Sequence, residues 1–419
     1  MTTFRAEARQ EVETEKMGRV KITKVAIFGV LCFVGGAHSQ VFSRETVTPY
    51  KIMLVHIKKA RTQGLPNCWY QSHARATEYA YERLTGNRIN LSPNYFSANN
   101  MRAKALEALK NPSLPIKYIS VGSWGSPFEI QMRYGLMITT PVLTPRRVEI
   151  LQEKLAEIVG EFRKELKQTI NSDGAYQRLL ELYESRINAI VDNSGASSDQ
   201  TFYLGNREYT PLTLAKTFPL DRMKWVVVQV GDRSRYLPQL PMISSYEEMI
   251  SLARKFQNQK FALDLENIGG KRRTRFLLKT DRVRPAFESI VVPNAESSGY
   301  FGFLLKSKKS LEGFIHGALS NGLPVKSDSL ISGYYNVDRS VSIRVRKDQK
   351  IPKLNWFSMD HGMVIVGIEK SKAGKVKVWL QNSWGPSLLG DKGLIKSSLT
   401  DLGRLINRLS FPVIITGLR

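Results

Sequence analysis

The sequence predicts an α+β fold, because helical periodicity dominates its first half and strand-like segments dominate the chain from Asp360 onward. Residues 68–85 carry a partly apolar helical face, and Gly86 ends it. A longer helix begins at Pro145, a residue type favoured in the first helical turn, and a second helix covers residues 175–191. Near the end of the chain, the segments HGMVIVGIEK, KVKVWLQNS and KGLIKSS have the composition of strands.

Other segments of the chain alternate in character. NSGASSDQ, residues 193–200, is predicted to be a small polar linker, and KWVVVQV is predicted to be a buried strand. YEEMISLARKF and LTDLGRLINRL are predicted helices, and FPVIIT is a predicted strand. GGKRRTRFLLK reads as a basic loop that enters a strand, and SLEGFIHGALSNGLPV as a helix, a turn and a strand.

The chain is strongly basic, with 62 Lys and Arg against 37 Asp and Glu and a formal net charge of +25. Such a balance favours contact with polyanions such as nucleic acid, anionic lipid or acidic polysaccharide. GGKRRTR and LLKSKKS are the candidate patches for weak polyanion binding. The alternative is a basic surface that is only solvated, and the composition leaves both interpretations open.

The N-terminal region has the layout of a secretory signal peptide. Basic residues after Met17 precede a run of twelve apolar or small residues, which is too short to span a bilayer comfortably. Small residues follow the apolar run, and we expect cleavage between Ser39 and Gln40. The protein is therefore predicted to be exported, either to a periplasm or outside the cell. Retention of this segment as an uncleaved anchor is the alternative.

Cleavage there would leave one cysteine. Cys32 lies inside the apolar run and would be removed, so the exported chain would keep Cys68 alone and contain no internal disulfide. A single thiol in an oxidising compartment is a liability unless its reactivity is used. Free cysteine also packs well in cores, so a buried and inert Cys68 is an equal alternative on composition alone.

The position of Cys68 indicates nucleophilic chemistry. A thiol at a helix N-terminus is favoured as an anion, and a neighbouring histidine strengthens that effect. His73 lies on the same helix and faces away, whereas His361 precedes an apolar strand and Asn382 could orient its imidazole. Gln63 and the backbone N–H of Cys68 are candidate donors to an oxyanion. No metal and no cofactor is implied.

Five blocks of sequence, in order, resemble the papain superfamily of cysteine peptidases. They are TQGLPNCW, NLSPNYF, WGSPFEIQMRYGL, DHGMVIVGIE with VKVWLQNSWG, and LGDKGLIK. TFYLGNREYTPLTLAKTF further resembles the bleomycin hydrolase and aminopeptidase C branch. Papain-like enzymes place the histidine about 130–150 residues after the cysteine, whereas here the separation is 361 − 68 = 293 residues. The helical hairpin and the middle of the chain account for the excess.

The resemblance implies a papain-like fold of two subdomains, one helical and one β-barrel-like, with a helical insertion. The implied division is a signal region at 1–39, a helical subdomain at 40–143, an insertion at 144–304 and a β-rich subdomain at 305–419. It also implies a Cys-His-Asn triad of Cys68, His361 and Asn382 with Gln63, acting on a peptide or protein substrate. The substrate-cleft positions that it implies are Trp69, Trp124, Gly125, Asp360 and Trp384.

Three departures from the family pattern bear on specificity. Gln63 stands five residues before Cys68 rather than six, and Trp124 occupies the place of the first cleft glycine, where it would narrow the pocket. The 35 residues from Gly385, the last residue of the Asn-Ser-Trp-Gly block, to Arg419 already have to supply two strands and a helix. In the bleomycin hydrolase and aminopeptidase C branch, a C-terminal arm imposes aminopeptidase action. Here few residues remain to form such an arm. Cleavage inside peptides is therefore expected, with aminopeptidase action as the alternative.

Two other classes of function compete with a peptidase. One is a catalytically weak or inactive papain-like protein that acts as a basic module binding nucleic acid or membrane, for which affinity would fall sharply with salt. The other is a transglutaminase-like enzyme or an amidase using the same Cys-His pair, against which the Asn-Ser-Trp-Gly block argues. The sequence leaves the oligomeric state open.

Overall fold

The computed structural model describes residues 48–54, 56–61, 63–120, 127–169, 174–217, 223–230, 242–255, 261–268, 271–278, 300–305, 307–331, 335–337, 342–345, 361–383 and 393–414. The predicted signal region at 1–39 lies outside these residues. Among the described helices, none is long and apolar enough to cross a membrane. Residues 47–419 form one compact unit.

Nine α-helices occur in the described part of the chain. They are α1 (Cys68–Thr85), α2 (Pro93–Lys110), α3 (Pro127–Tyr134), α4 (Pro145–Thr169), α5 (Ala175–Val191), α6 (Pro211–Thr217), α7 (Tyr246–Lys255), α8 (Leu311–Ser320) and α9 (Leu399–Leu405). The strands of the N-terminal two thirds are β1 (Tyr50–Met53), β2 (Phe202–Leu204), β3 (Arg207–Tyr209), β4 (Met223–Gln229), β5 (Met242–Ile243), β6 (Phe261–Ile268) and β7 (Lys271–Leu278). The remaining strands are β8 (Tyr300–Leu305), β9 (Val325–Ser329), β10 (Tyr335–Val337), β11 (Ser342–Val345), β12 (His361–Lys370), β13 (Val376–Gln381), β14 (Leu394–Ser398) and β15 (Ile406–Ile414).

The helices of the first half enclose one hydrophobic core. α2 packs against α4 and α5. α4 and α5 also pack against each other and form the predicted helical hairpin. Their buried apolar residues recur every three or four positions, which places them on one face of each helix. In α4 this face comprises Val148, Leu151, Leu155, Ile158, Val159 and Phe162.

Eleven of the described strands form a single sheet, which carries the second core. Its order is β10-β11-β14-β13-β12-β9-β15-β4-β8-β5, and β1 pairs with β12 from outside this path. α1 packs on β12 and β9, so the helix that begins at Cys68 rests directly on the centre of the sheet. β4, β5 and β8, which come from residues 144–304 or their border, belong to this same sheet.

The α+β class is confirmed, and most helix boundaries agree with the sequence. α1 ends at Thr85 with Gly86 in the left-handed conformation, and α4 begins at Pro145. The prediction for residues 193–200 was partly wrong, because residues 192–196 continue α5 as a π-helical turn. The boundaries of the four predicted domains stay a prediction.

Two further predicted elements differ from the structure. The predicted helix LTDLGRLINRL ends at Leu405, and residues from Ile406 join β15, which pairs with β9 on one side and β4 on the other. Four basic residues of GGKRRTRFLLK, Lys271, Arg272, Arg273 and Arg275, lie within β7 rather than in a loop, and Arg273 stands opposite Glu266 of β6. At β15, pairing between distant strands determines the conformation, and local sequence does not report that pairing. β6 and β7 follow each other in the chain, and the pairing of these neighbours places the basic residues in a strand.

Gly135 is the position where a side chain should cost most stability. Its φ is +85°, and an added Cβ would overlap the backbone of Pro211, to which Leu136 N–H donates a 2.8 Å hydrogen bond. We expect Gly135→Ala to lower the free energy of unfolding by about 3 kcal/mol, from left-handed strain plus overlap. Urea denaturation measures the loss.

Gly86→Ala is the matched control for this variant. Gly86 has a φ of +72°, but an added Cβ there would meet open space. We expect a loss of only about 1 kcal/mol, from the left-handed conformation alone. Equal losses in the two variants would show that the close approach to Pro211 is not a constraint on the fold.

Candidate active site

Cys68 is the first residue of α1 and lies at the junction of the helix and the sheet. Asn67 precedes it without a side-chain cap to the helix, and its carbonyl instead accepts from the N–H groups of Tyr70 and Gln71. Asn67 is itself held by α2, since its Nδ2 donates to Ser97 Oγ at 3.1 Å. Cys68 is only 5% exposed, so its sulfur lies in a largely dry environment.

The start of β12 lies directly against this helical turn. Gly362 has no side chain, and a Cβ at this position would lie 3.2 Å from the carbonyl oxygen of Cys68 and 2.7 Å from Ser72 Oγ. The approach of strand to helix thus depends on glycine. It brings His361, the first residue of β12, beside the helix that begins with Cys68.

His361 is oriented by Asn382, which follows β13. The Nε2 atom of His361 lies 2.8 Å from Asn382 Oδ1, and the backbone N–H of Ser383 donates to the same oxygen at 2.7 Å. An oxygen that receives a backbone N–H is an acceptor, so Nε2 carries the proton in this hydrogen bond. In the neutral imidazole Nδ1 is then the basic nitrogen.

Gln63 is tied to the same segment by two hydrogen bonds. Its backbone N–H donates to the Ser383 carbonyl at 2.6 Å, and Ser383 Oγ donates to its side-chain Oε1 at 2.6 Å. The amide oxygen is thereby occupied, which leaves the Nε2 group as the end that can serve a ligand. The loop before Cys68 and the segment after Asn382 are therefore one connected structure.

A small cavity of about 20 Å³ lies behind Asn382. It is lined by polar groups of α1, including Gln71, Ser72 and Arg75, and by Asn382 and Ser383. Among the described residues, the buried Asn382 Nδ2 has no hydrogen-bond partner. The side-chain hydrogen bonds that position Asn382 are therefore those of its Oδ1 atom, to His361 and Ser383.

The remaining predicted site residues divide into two groups. Trp69 is 6% exposed, and the ammonium of Lys326 lies 5.6 Å from the centroid of its ring, so most of this side chain packs inward. Trp124, Gly125, Asp360 and Trp384 lie outside the described residues. His73 is fully buried and bonds Gln131 Oε1 through Nε2 at 3.0 Å, consistent with its exclusion as the base.

Burial determines the ionisation of the thiol. It raises the pKa of Cys68 to about 11, although the backbone N–H of Gly362, the charge of Lys326 and the N–H of Trp69 each lower the pKa and Asp328 raises it. The N–H donors of β12 and of the first turn of α1 therefore favour the thiolate, but they do not outweigh desolvation. A proton acceptor is needed to ionise this sulfur near neutral pH.

Sequence reasoning missed four residues of this region. Ser383 and Gly362 were visible inside the two matching blocks, but the contacts that give them roles join distant parts of the chain. Lys326 and Asp328 come directly after the predicted strand that ends SLEGFIHGALSNGLPV, and they lie in β9, a buried strand in which two charges are an unusual composition. Among the described residues, no group of three His, Cys, Asp or Glu could hold a metal ion.

Comparison with known proteins supports the fold. No protein-family model and no curated protein sequence matches the chain. The solved structure of PepW from Lactobacillus rhamnosis matches with a TM-score of 0.54 and 15% identity, over 87% of this chain and 81% of that chain. The papain-like fold is thus confirmed at the level of structure.

Two further matches are weaker. Digestive procathepsin L 3 of Tenebrio molitor larval midgut matches with a TM-score of 0.36 and 12% identity, over 87% of this chain and 69% of that chain. A structure from work on the mite allergens Blo t 1 and Der p 1 matches with a TM-score of 0.34 and 12% identity, over 89% and 74%. At these scores neither match adds to the argument.

Gln63→Ala should lower kcat/KM about 10²-fold, because removal of one oxyanion donor typically has an effect of this size. Ser383→Ala should have a smaller effect of about tenfold, because it frees the Gln63 amide without deleting it. Steady-state kinetics on one peptide substrate, with circular dichroism to confirm folding, measure both changes. A Gln63→Ala enzyme within twofold of the unmodified protein would exclude Gln63 from the oxyanion site.

Proposed function

We propose that this chain is a cysteine peptidase that hydrolyses peptide bonds through Cys68, His361 and Asn382. The observation that carries the proposal is the 2.8 Å bond from His361 Nε2 to Asn382 Oδ1, made where β12 meets the first turn of α1. A buried thiol, an oriented imidazole and an amide held in one orientation are the parts that acyl transfer to sulfur requires.

In the proposed reaction, His361 Nδ1 takes the proton of the Cys68 thiol. The thiolate attacks the scissile carbonyl carbon, and the carbonyl oxygen becomes an oxyanion that accepts hydrogen bonds from Cys68 N–H and the Gln63 side chain. His361 then donates its proton to the leaving amine, and the C–N bond breaks to give a thioester at Cys68. Water attacks the thioester while His361 takes its proton, which releases the acid and restores the thiol.

The substrate class that fits this site is a peptide or protein. Cleavage inside peptides, rather than stepwise removal of N-terminal residues, is the mode we propose. A peptide with a free amino terminus and its acetylated twin distinguish the two modes. If acetylation stops cleavage and the free peptide releases single residues, the chain acts as an aminopeptidase.

We further propose that the protein is exported, with cleavage between Ser39 and Gln40. The support is the succession of basic, apolar and small residues in the sequence. N-terminal sequencing of the protein recovered from the periplasm or the medium tests this. An intact N-terminus on a protein confined to the cytoplasm would remove the export proposal and leave the catalytic proposal standing.

Active-site labelling tests the catalytic proposal. The protein is treated with an epoxide inhibitor of papain-like enzymes, digested, and searched by mass spectrometry for the modified residue. Labelling of Cys68 together with loss of hydrolysis of a mixed peptide library is the expected result. A protein that cleaves none of the peptides and takes up no label, but binds nucleic acid or anionic vesicles with strong salt dependence, would be the basic binding module instead.

A further inference from the structure

Lys326 and Asp328 form an ion pair in the interior, and the reaction proposed above uses neither of them. Lys326 is 2% exposed and Asp328 is fully buried, and their charged groups contact each other directly. Taking two charges out of water is costly, and a buried pair often returns less stability than apolar residues of similar size would. A contribution to stability therefore does not by itself explain this pair, and its position in the fold indicates what else it does.

The strand register places this pair beneath the reactive end of α1. In the antiparallel pairing of β9 with β12, Asp328 lies opposite Gly362 and Lys326 lies opposite Val364. Residues directly opposite each other point to the same face of a sheet. At Gly362 that face lies against Cys68 and Ser72. The ammonium of Lys326 also lies 5.6 Å from the ring of Trp69, the residue after Cys68.

We propose that Lys326 and Asp328 act as a charge pair that adjusts the ionisation of Cys68 against the effect of its burial. Lys326 favours the thiolate, and Asp328 limits that effect and keeps the ammonium from remaining an unpaired buried charge. They are positioning residues, since they act through Cys68 and take no part in bond making. The inference rests on the proposed function in so far as that function requires the thiolate.

The two charges act on Cys68 with opposite signs. Burial is the largest influence and raises the pKa of the thiol, the Gly362 N–H and then Lys326 lower it, and Asp328 raises it by less than Lys326 lowers it. Loss of the lysine charge should therefore raise the pKa, and loss of the aspartate charge should lower it. Four titratable groups lie at this site in the described chain: Lys326 and Asp328 on β9, His361 on β12 and His73 on α1. Arginines also border it, since Arg408 of β15 stands opposite Asp328 in the strand register, and Arg61 and Arg75 line the cavity beside Gly362.

His73 does not complicate this titration. Burial, followed by the charge of Lys326, lowers the pKa of His73 to about 3, while the bond to Gln131 and the charge of Asp328 raise it. His73 is therefore neutral at the pH values at which thiol reactivity is measured.

The test is the pH dependence of alkylation of Cys68 by iodoacetamide in the full chain. Mass spectrometry of the peptide that contains Cys68 separates its signal from that of Cys32. In Lys326→Met we expect the midpoint of the rate profile to rise by about one pH unit, and in Asp328→Asn to fall by about one. A change in access to the sulfur would alter the plateau rate and leave the midpoint in place.

Two controls separate charge from structural damage. The double variant Lys326→Met, Asp328→Asn removes both charges, so its midpoint should lie within about half a pH unit of the unmodified protein. Arg102→Met breaks another ion pair, in which the buried Arg102 contacts the partly exposed Asp192 and joins α2 to the turn after α5. It should lower the melting temperature and leave the midpoint of Cys68 unchanged.

The outcomes are separable from those of the proposed function, because alkylation requires no peptidase activity. Shifts of opposite sign in the two single variants support the inference. Shifts of the same sign, or none in folded variants, overturn it while leaving the peptidase proposal intact. If neither single variant folds, the double variant decides, since a midpoint displaced by more than one pH unit would contradict a balanced pair.

Discussion

Replacing Cys68 by alanine is expected to abolish peptide hydrolysis, with a loss in kcat of about 10⁴-fold or more. The sulfur is the atom that forms the covalent intermediate in the proposed reaction, and no other described cysteine could replace it. Oriented binding and oxyanion donors alone leave only a small residual rate. Initial rates on a fluorogenic peptide, with active-site titration of the unmodified protein, measure the loss.

Two further measurements make this result specific to the chemistry. The Cys68 side chain is small, so Cys68→Ala should lower the free energy of unfolding by only about 1 kcal/mol. Cys68→Ser nearly keeps the shape of the side chain but replaces the thiol by a more polar and far weaker nucleophile, and it should be nearly as inactive as the alanine variant. A folded Cys68→Ala protein that keeps most of its hydrolysis would remove Cys68 from the reaction.

Helix limits could be predicted where single residues encode them. Gly86 adopts a φ of +72° at the end of α1, a conformation that glycine reaches without a Cβ penalty. Pro145 begins α4, where its missing N–H would have had no helical partner. The sheet order could not be predicted in this way, because β15 lies between β9 and β4 through contacts with residues far away in sequence.

The candidate site shows the same division. Cys68, His361, Asn382 and Gln63 could be selected because each lies in a short block with a chemical reason for its residue type. The second bond to Gln63, from Ser383, depends on two segments 320 residues apart. Composition left a buried Cys68 as one of two alternatives and could not decide between them, since the burial results from the packing of α1 on β12 and β9. That burial determines how much the thiol depends on its histidine.

His361→Ala is expected to reduce hydrolysis nearly as far as Cys68→Ala does, because nucleophile and base act as a unit. Burial raises the pKa of the Cys68 thiol to about 11. A thiol with that pKa is ionised in roughly one molecule in ten thousand at pH 7. In the unmodified protein His361 can take the proton, and Asn382 Oδ1 stabilises the resulting imidazolium through Nε2–H. Without His361 the proton must go to solvent.

The variant should therefore lose alkylation of Cys68 at neutral pH and recover it only as the pH rises towards 11. Rates of iodoacetamide labelling between pH 5 and pH 10, read on the Cys68 peptide, give the profile. His73→Asn is the matched control, because burial, followed by Lys326, keeps the pKa of His73 far below this range and its loss removes no charge. It should weaken the contact with Gln131 and leave the profile unchanged. If Cys68 in the His361→Ala protein were labelled at pH 7 as fast as in the unmodified protein, His361 could not be the base, and the thiolate would have to be stabilised by the donors of α1 and β12 alone.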